Sequence, residues 1–291
     1  MLFLVLSVFC SVCVGIIFKV ARKQDICITQ VIAWNYVFAI ILCYLFFSPD
    51  LSVINSSSPW ILYGTLMVLL PSIFLALAAS IKHMGIVKTD AAQRLSLFIP
   101  IVAAWFIFME DMDSHKVTGL AIGFPAIILI LYKKPDKTAT KWRYPLIVLL
   151  GFGLIDILLK HVALYKQSPF TTSLFIVFCG ALGLMILAVL RDLLFRRQGL
   201  RIINLAFGAL VGIFNFGNIL FYLQAHKAFE DNPSTVFATM NMGVIVLGSL
   251  AGIIVFREKL SKINYIGILL ALAAIVFITL SQLNNQAITG H

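Results

Sequence analysis

Apolar residues run along this chain in blocks of roughly 17 to 24, separated by short polar gaps, almost from its first residue to its last. A helix of about 20 apolar residues crosses a ~30 Å hydrocarbon core, and in lipid the backbone must satisfy its own hydrogen bonds, so the blocks predict membrane-spanning α-helices. The pattern predicts ten, at about 2–18, 28–47, 59–80, 87–108, 116–132, 145–160, 170–190, 202–225, 233–255 and 262–281. Helix breakers fill the gaps: Ser48-Pro49-Asp50, Asn55 to Pro59, Lys133 to Tyr144, Ser168-Pro169 and Asp231-Asn232-Pro233. No gap is long enough to hold a soluble domain. The expected fold class is therefore all-α and polytopic.

Composition agrees. Of 291 residues 61% are hydrophobic and 12% charged, with mean hydropathy +1.03, whereas a soluble domain carries about 25% charged residues. The net charge of +10 does not point to nucleic acid, because Lys and Arg sit in the gaps rather than along one polar face. The gaps after helices 1, 3, 5, 7 and 9 hold 3, 2, 5, 4 and 3 of them, and those after helices 2, 4, 6 and 8 hold 0, 1, 2 and 1, with Lys160 counted on the second side and Arg94 inside helix 4. Seventeen against four puts the odd-numbered gaps in the cytoplasm and both termini outside, as expected of an integral protein of the cytoplasmic (inner) membrane. Met1 opens an apolar run with no basic stretch before it, so helix 1 is expected to be retained rather than cleaved. Cys10, Cys13, Cys27, Cys43 and Cys179 are an odd set, four of them within or at the ends of apolar runs, and imply packing rather than a disulfide framework.

The halves of the chain resemble each other. Lys19 and Lys160 close the first helix of each half, Gly64 and Gly208 fall early in the third, and Glu110 and Glu258 each precede a glycine by nine residues, Gly119 and Gly267. The offsets of 141, 144 and 148 drift by about two helical turns. Five helices is an odd number, so the second half enters from the opposite face and the repeat is inverted, a common transporter plan. This divides the chain into a five-helix repeat over 1–133, a basic cytoplasmic linker over 134–144, a second repeat over 145–283 and a short polar tail over 284–291.

Three patterns carry a resemblance: Phe108-Met109-Glu110 through Gly119, Val255-Phe256-Arg257-Glu258-Lys259-Leu260 through Gly267, and Asn232-Pro233 opening helix 9. On these the chain resembles the EamA-like branch of the drug/metabolite transporter superfamily over nearly its whole length. The resemblance implies a basket of ten helices around a central cavity lined by helices 1, 3, 4, 6, 8 and 9, with 5 and 10 peripheral. It is specific for the fold and weak for the substrate. Pro100 stands closer to Glu110 than in the family and helix 9 lacks a matching proline, departures that bear on the local shape of helices 4 and 9.

Polar groups inside the helices are few, and on insertion scales a charged one costs roughly 2.5 to 3.5 kcal/mol. Asp90, Gln93 and Arg94 open helix 4, with Asp90 and Arg94 at i, i+4. They can form an intrahelical pair with Arg94 reaching the interface, or Arg94 can face the cavity and hold a carboxylate or phosphate through paired hydrogen bonds. Asp156 and Lys160 repeat the spacing on helix 6, beside His161. Asp156 lies about eleven residues into its helix, too deep to reach water, which makes it a static partner of Lys160 or a group that binds ligand or protons. Asn215, Asn218 and Tyr222 share one face of helix 8, as a cavity lining or as interhelical hydrogen bonds. Trp34, Asn35 and Tyr36 on helix 2, and Thr239 and Asn241 on helix 9, are weaker candidates. Gly119/Gly123, Gly208/Gly212 and Gly248/Gly252 read as close helix contacts, Pro71, Pro100 and Pro125 as tolerated breaks or hinges, and Glu110 and Glu258 as caps or loop salt bridges.

No catalytic pattern stands out. Cys10-Ser-Val-Cys13 has metal spacing without a second ligand pair, and no Gly-rich loop ending in Lys and Ser or Thr is present, so neither metal, cofactor nor ATP hydrolysis is expected. The expected activity is secondary transport of a small polar metabolite, an amino acid or related compound, with efflux favoured, by alternating access; an enzyme is not expected. The substrate site would draw on Arg94, Gln93, Asp156, Lys160, Asn215, Asn218, Tyr222, Asn241 and Trp34. Alternatives are a flippase of lipid or polyprenyl-linked head groups, a membrane-embedded enzyme, or a passive channel. The partners expected are a small-molecule substrate and membrane lipid, no nucleic acid, proton coupling left open, in a monomer or homodimer.

Overall fold

A computed structural model describes residues 2–21, 24–96, 98–99, 102, 114–132, 142–165, 167–196, 199–228 and 233–289. Among the described residues the chain is all helical: α1 Leu2–Ala21, α2 Ile28–Phe47, α3 Trp60–Met84, α4 Ile86–Leu95, α5 Ser114–Leu131, α6 Arg143–Leu164, α7 Phe170–Arg196, α8 Ile202–Ala228, α9 Pro233–Leu250 and α10 Lys262–Thr289. Six of them, α1, α2, α3, α7, α8 and α10, are long and apolar enough to cross a membrane by length and composition. Large apolar side chains such as Leu45, Ile61, Leu187 and Leu269 cover the outside. Such a surface suits lipid rather than water.

Most element bounds follow the hydropathy pattern, and three depart from it. The helix expected over 87–108 is interrupted by a turn at Ser96, whose hydroxyl folds back onto the Gln93 carbonyl at 2.6 Å and competes with the helical ladder, while Phe98, Ile99 and Val102 beyond it are again helical. Pro100 and Glu110 lie outside the described residues, as does most of the linker over 134–144. Helix 9 ends in a π-turn, Ala251–Val255, followed by Arg257 at φ +52°, and this wider turn swings Glu258 back until its amide reaches the Gly252 carbonyl at 2.9 Å. The tail expected from 284 continues α10 as helix to Thr289.

Packing pairs each helix with partners in the other half. α1 and α2 pack on α8, and α6 and α7 pack on α3; α1 meets α9 and α6 meets α4; α9 meets α10 and α4 meets α5; α5 packs along α10. Advancing both members of a pair by five turns each of these contacts into another one or into itself. The glycine pairs serve as close contacts: a Cβ on Gly208 would lie 2.3 Å from the Trp34 Cβ, and one on Gly212 2.8 Å from the Asn35 carbonyl, so α8 meets the α2 backbone there.

The connections sort into two faces. Arg201 pairs with Asp25 and Asn204 Nδ2 donates to Gln30 Oε1 at 2.7 Å, joining the α1–α2 and α7–α8 turns. Asn264 Nδ2 donates to the carbonyls of Leu129, Ile130 and Tyr132, and Lys88 Nζ to that of Tyr132, joining the end of α5, the start of α10 and the start of α4. Tyr165 donates to the Ser57 carbonyl at 3.2 Å, and the buried Tyr63 hydroxyl lies 2.8 Å from Ser173 Oγ, joining the α2–α3 and α6–α7 connections at the other face. Among the described residues the connections after α1 and α7 thus meet one another, as do those after α3, α5 and α9, and those after α2 and α6.

Candidate functional site

At the face of the odd-numbered connections, Glu258 accepts from Lys19 Nζ at 2.9 Å, from the Ile86 amide at 2.6 Å and from the Val87 amide at 3.2 Å. One carboxylate therefore caps α4 and neutralises the basic end of α1. Gly85 makes the approach possible. Its φ is +89° and an added Cβ would lie 2.6 Å from Glu258 Oε2, so a side chain is excluded by conformation and by space. The expectation of a cap or loop salt bridge at Glu258 is met, with both roles on one side chain.

Nearer the middle, α4 presents Asp90 and Arg94 on one face. The intrahelical pair between them does not form. Arg94 Nη2 instead donates to Ser11 Oγ of α1 at 2.5 Å, while Arg94 Nε and Asp90 Oδ2 are buried without a hydrogen-bond partner. The reason is crowding: Asp90 is held between Gly15 of α1 and Gly248 of α9, away from the guanidinium. Arg94 is half-buried. It lies within Coulombic range of Asp90, of Asp156 on α6 and of the Tyr222 hydroxyl on α8, and Tyr222 in turn of Asp156. Asp156 and Tyr222 are half-buried as well. Three helices far apart in sequence thus bring a cation, an acid and a phenol together.

The asparagine face of α8 divides between two neighbours. Asn218 Oδ1 accepts from Ser7 Oγ of α1 at 2.9 Å, and Asn215 Nδ2 donates to Asn35 Oδ1 of α2 at 3.3 Å. Both are interhelical hydrogen bonds. Asn35 is fully buried and its Nδ2 lacks a partner, as does the buried Tyr36 hydroxyl. Gln93 is half-buried and takes no part in these side-chain bonds, and Asn241 is buried on α9. Trp34 stands apart from Arg94, at the α2–α8 contact beside Gly208. The Lys160 side chain, and with it the expected pair with Asp156, lies outside the described residues; His161 Nδ1 is 2.8 Å from the Ile157 carbonyl.

Hydropathy reading missed Ser7 and Ser11. With Gly15 they repeat at i, i+4, i+8 along α1, facing Asn218, Arg94 and Asp90 in turn. The signal was a stripe of small polar residues in an otherwise apolar helix.

The cluster can bind a zwitterion or an anion. The guanidinium offers forked donors to a carboxylate or phosphate, Asp156 offers an acceptor to an amine, and Tyr222 can donate or accept. Among the described residues no group of three or more His, Cys, Asp and Glu is arranged to hold a metal ion.

A profile of the EamA-like transporter family matches residues 144–280, the stretch that holds Asp156, Asn215, Asn218, Tyr222 and Asn241. An uncharacterized protein of Haemophilus influenzae is 39% identical over 284 residues, spanning 94% of this chain and 95% of that one. A solved crystal structure superposes with a TM-score of 0.59 over 96% of each chain at 14% identity, a likeness of fold alone. With its six apolar spans and these relatives, the chain is a multi-pass membrane protein and belongs to the EamA-like transporter family of the drug/metabolite transporter superfamily.

Proposed function

We propose that this protein is a secondary transporter that exports a small polar metabolite, an amino acid or a related compound, across the cytoplasmic membrane by alternating access. The observation that carries the reading is the convergence of Arg94, Asp156 and Tyr222 from α4, α6 and α8 into one half-buried cluster of opposite charges. A carboxylate on the substrate meets Arg94 and its amine meets Asp156. Gln93, Lys160, Asn215, Asn218, Asn241 and Trp34 are proposed as the further lining, with Trp34 set apart at the α2–α8 contact.

The architecture behind the reading is ten membrane spans in two inverted five-helix repeats, over 1–133 and 145–283, with a basic cytoplasmic linker between them and both termini outside. Its support is the packing in which contacts recur five helices on, and the sorting of odd and even connections to two faces. Rocking of one repeat against the other opens the central cluster to each side in turn.

The test is a thermal-shift screen of the detergent-purified protein against amino acids, nucleosides, sugars and cationic drugs, with Asp156→Asn alongside. A ligand at 100 times its Kd stabilises by about 2.7 kcal/mol. Stabilisation by one chemical class, lost in the variant, supports the reading. Stabilisation by lipid head groups alone would replace it with a flippase.

A further inference from the structure

Substrate binding by Arg94 and Asp156 leaves Asp90 without a task. Its position is unusual for an acid. The side chain is only 5% exposed, its carboxyl lies where α1, α4 and α9 meet, and Oδ2 accepts no hydrogen bond among the described residues. A Cβ on Gly248 would come within 2.3 Å of Oδ2 and one on Gly15 within 3.6 Å of Oδ1. The two neighbouring helices thus approach the carboxyl with bare glycine, which leaves space for the acid and offers it no polar hydrogen.

The surrounding charges do not supply a counterion at contact distance. Among the described residues Asp90 forms no ion pair. On its own helix Arg94 lies within Coulombic range as an opposite charge but gives its hydrogen bond to Ser11, and Lys88 reaches the Tyr132 carbonyl. From the connection after α9, Glu258 lies within Coulombic range as a like charge, and the Lys19 ammonium of α1 is bound to that glutamate. On α3, Ser80 bonds with Thr89 at 2.8 Å, and on α6 Asp156 acts on Arg94 rather than on Asp90. An ionised carboxylate has only acceptor sites and is costly to bury with one oxygen unbonded beside another negative charge, whereas the neutral acid fits the same space with one proton added.

We propose that Asp90 is a proton-binding site, protonated in the closed packing of α1, α4 and α9 and deprotonated when α1 or α9 moves away and water reaches Oδ2. On release the O–H bond breaks, the proton passes to water and the electron pair stays on the carboxylate. A negative charge then stands one helical turn from Arg94, at the i, i+4 spacing from which it draws the guanidinium off Ser11 and away from Asp156. The ionised Asp90 and a substrate carboxylate therefore compete for Arg94, so proton binding at Asp90 and substrate binding at Arg94 strengthen each other by linkage. This coupling rests on the substrate reading of Arg94 and Asp156; the proton site itself does not.

The test is an infrared pH titration of the purified full-length protein, following the C=O stretch of protonated carboxyls in the wild type, Asp90→Asn and Asp156→Asn. The expected result is a protonated carboxyl at neutral pH in the wild type that is lost in Asp90→Asn and retained in Asp156→Asn. A wild type without such a signal, or a signal that survives Asp90→Asn, overturns the proposal. Should Asp90→Asn fail to fold, protein isotope-labelled at the aspartate side-chain carboxyl decides it: the signal must survive Asp156→Asn and Asp192→Asn, and its loss in either overturns the proposal. Because no ligand is added, failure of the transport reading leaves this result standing and is recognised separately, by the absence of any thermal shift.

Discussion

Glu258, at one face of the protein, accepts three hydrogen bonds from a lysine and two backbone amides, whereas Arg94, in the middle, keeps a buried nitrogen with no acceptor. The contrast extends to their neighbours. At that face Asn264 donates to three carbonyls and Gln30 and Asn204 bind each other. In the middle Asp90 Oδ2, Asn35 Nδ2 and the Tyr36 hydroxyl are buried and unpartnered. A completed network holds helices in one arrangement, while an incomplete one is destabilising and persists where another requirement keeps it. The face is bonded throughout these groups, the middle incompletely.

Substitutions can break this contrast. The largest expected effect is from Gly85→Val, which combines a backbone conformation nearly confined to glycine with overlap against the Glu258 carboxylate; it should destabilise by roughly 3 kcal/mol, read as a lowered Tm in detergent. Glu258→Ala should follow at about 2 kcal/mol, since two amides and a lysine lose a charged acceptor together. Lys19→Met should cost about 1 kcal/mol, because the amides still hold the glutamate. Arg94→Met and Asp156→Asn should change thermal stability by less than about 1 kcal/mol while removing the ligand-induced shift, an affinity loss of at least ~10-fold by titration. Smallest of all, Asn35→Leu should stay within about 0.5 kcal/mol of wild type, since it removes an orphan donor along with one long hydrogen bond. If the Arg94 and Asp156 variants melt far below Glu258→Ala, the central cluster is structural and the contrast fails.

Much of the scaffold is legible in the apolar pattern alone. α2 begins and ends where the apolar block does, because the block is both the span and the helix. The glycine pairs and Glu258 were read correctly from spacing and position. Helix 4 reads as one unbroken helix in the hydropathy, which does not register the turn at Ser96, where the hydroxyl bonds to the backbone. At the site, the types and depths of Arg94, Asp156 and Tyr222 marked them, since charge inside lipid needs a reason. Their partners were not readable. The pair drawn between Asp90 and Arg94 from i, i+4 spacing is a local inference, and α1 overrides it by offering Ser11 to one residue and Gly15 to the other.

The sequence by itself determined that this chain lives in lipid, where most of its helices lie and which buried side chains are expensive. These follow from one-dimensional quantities: apolar length, charge placement and residue type. Only the tertiary structure decided that Glu258 closes on Gly85 and Lys19, that Asp90 lies between two glycines, and that Arg94 bonds to Ser11 within Coulombic range of Asp156 and Tyr222 as well as of Asp90. Those contacts join residues from different helices, and their geometry depends on how the helices cross, a quantity that no single segment carries.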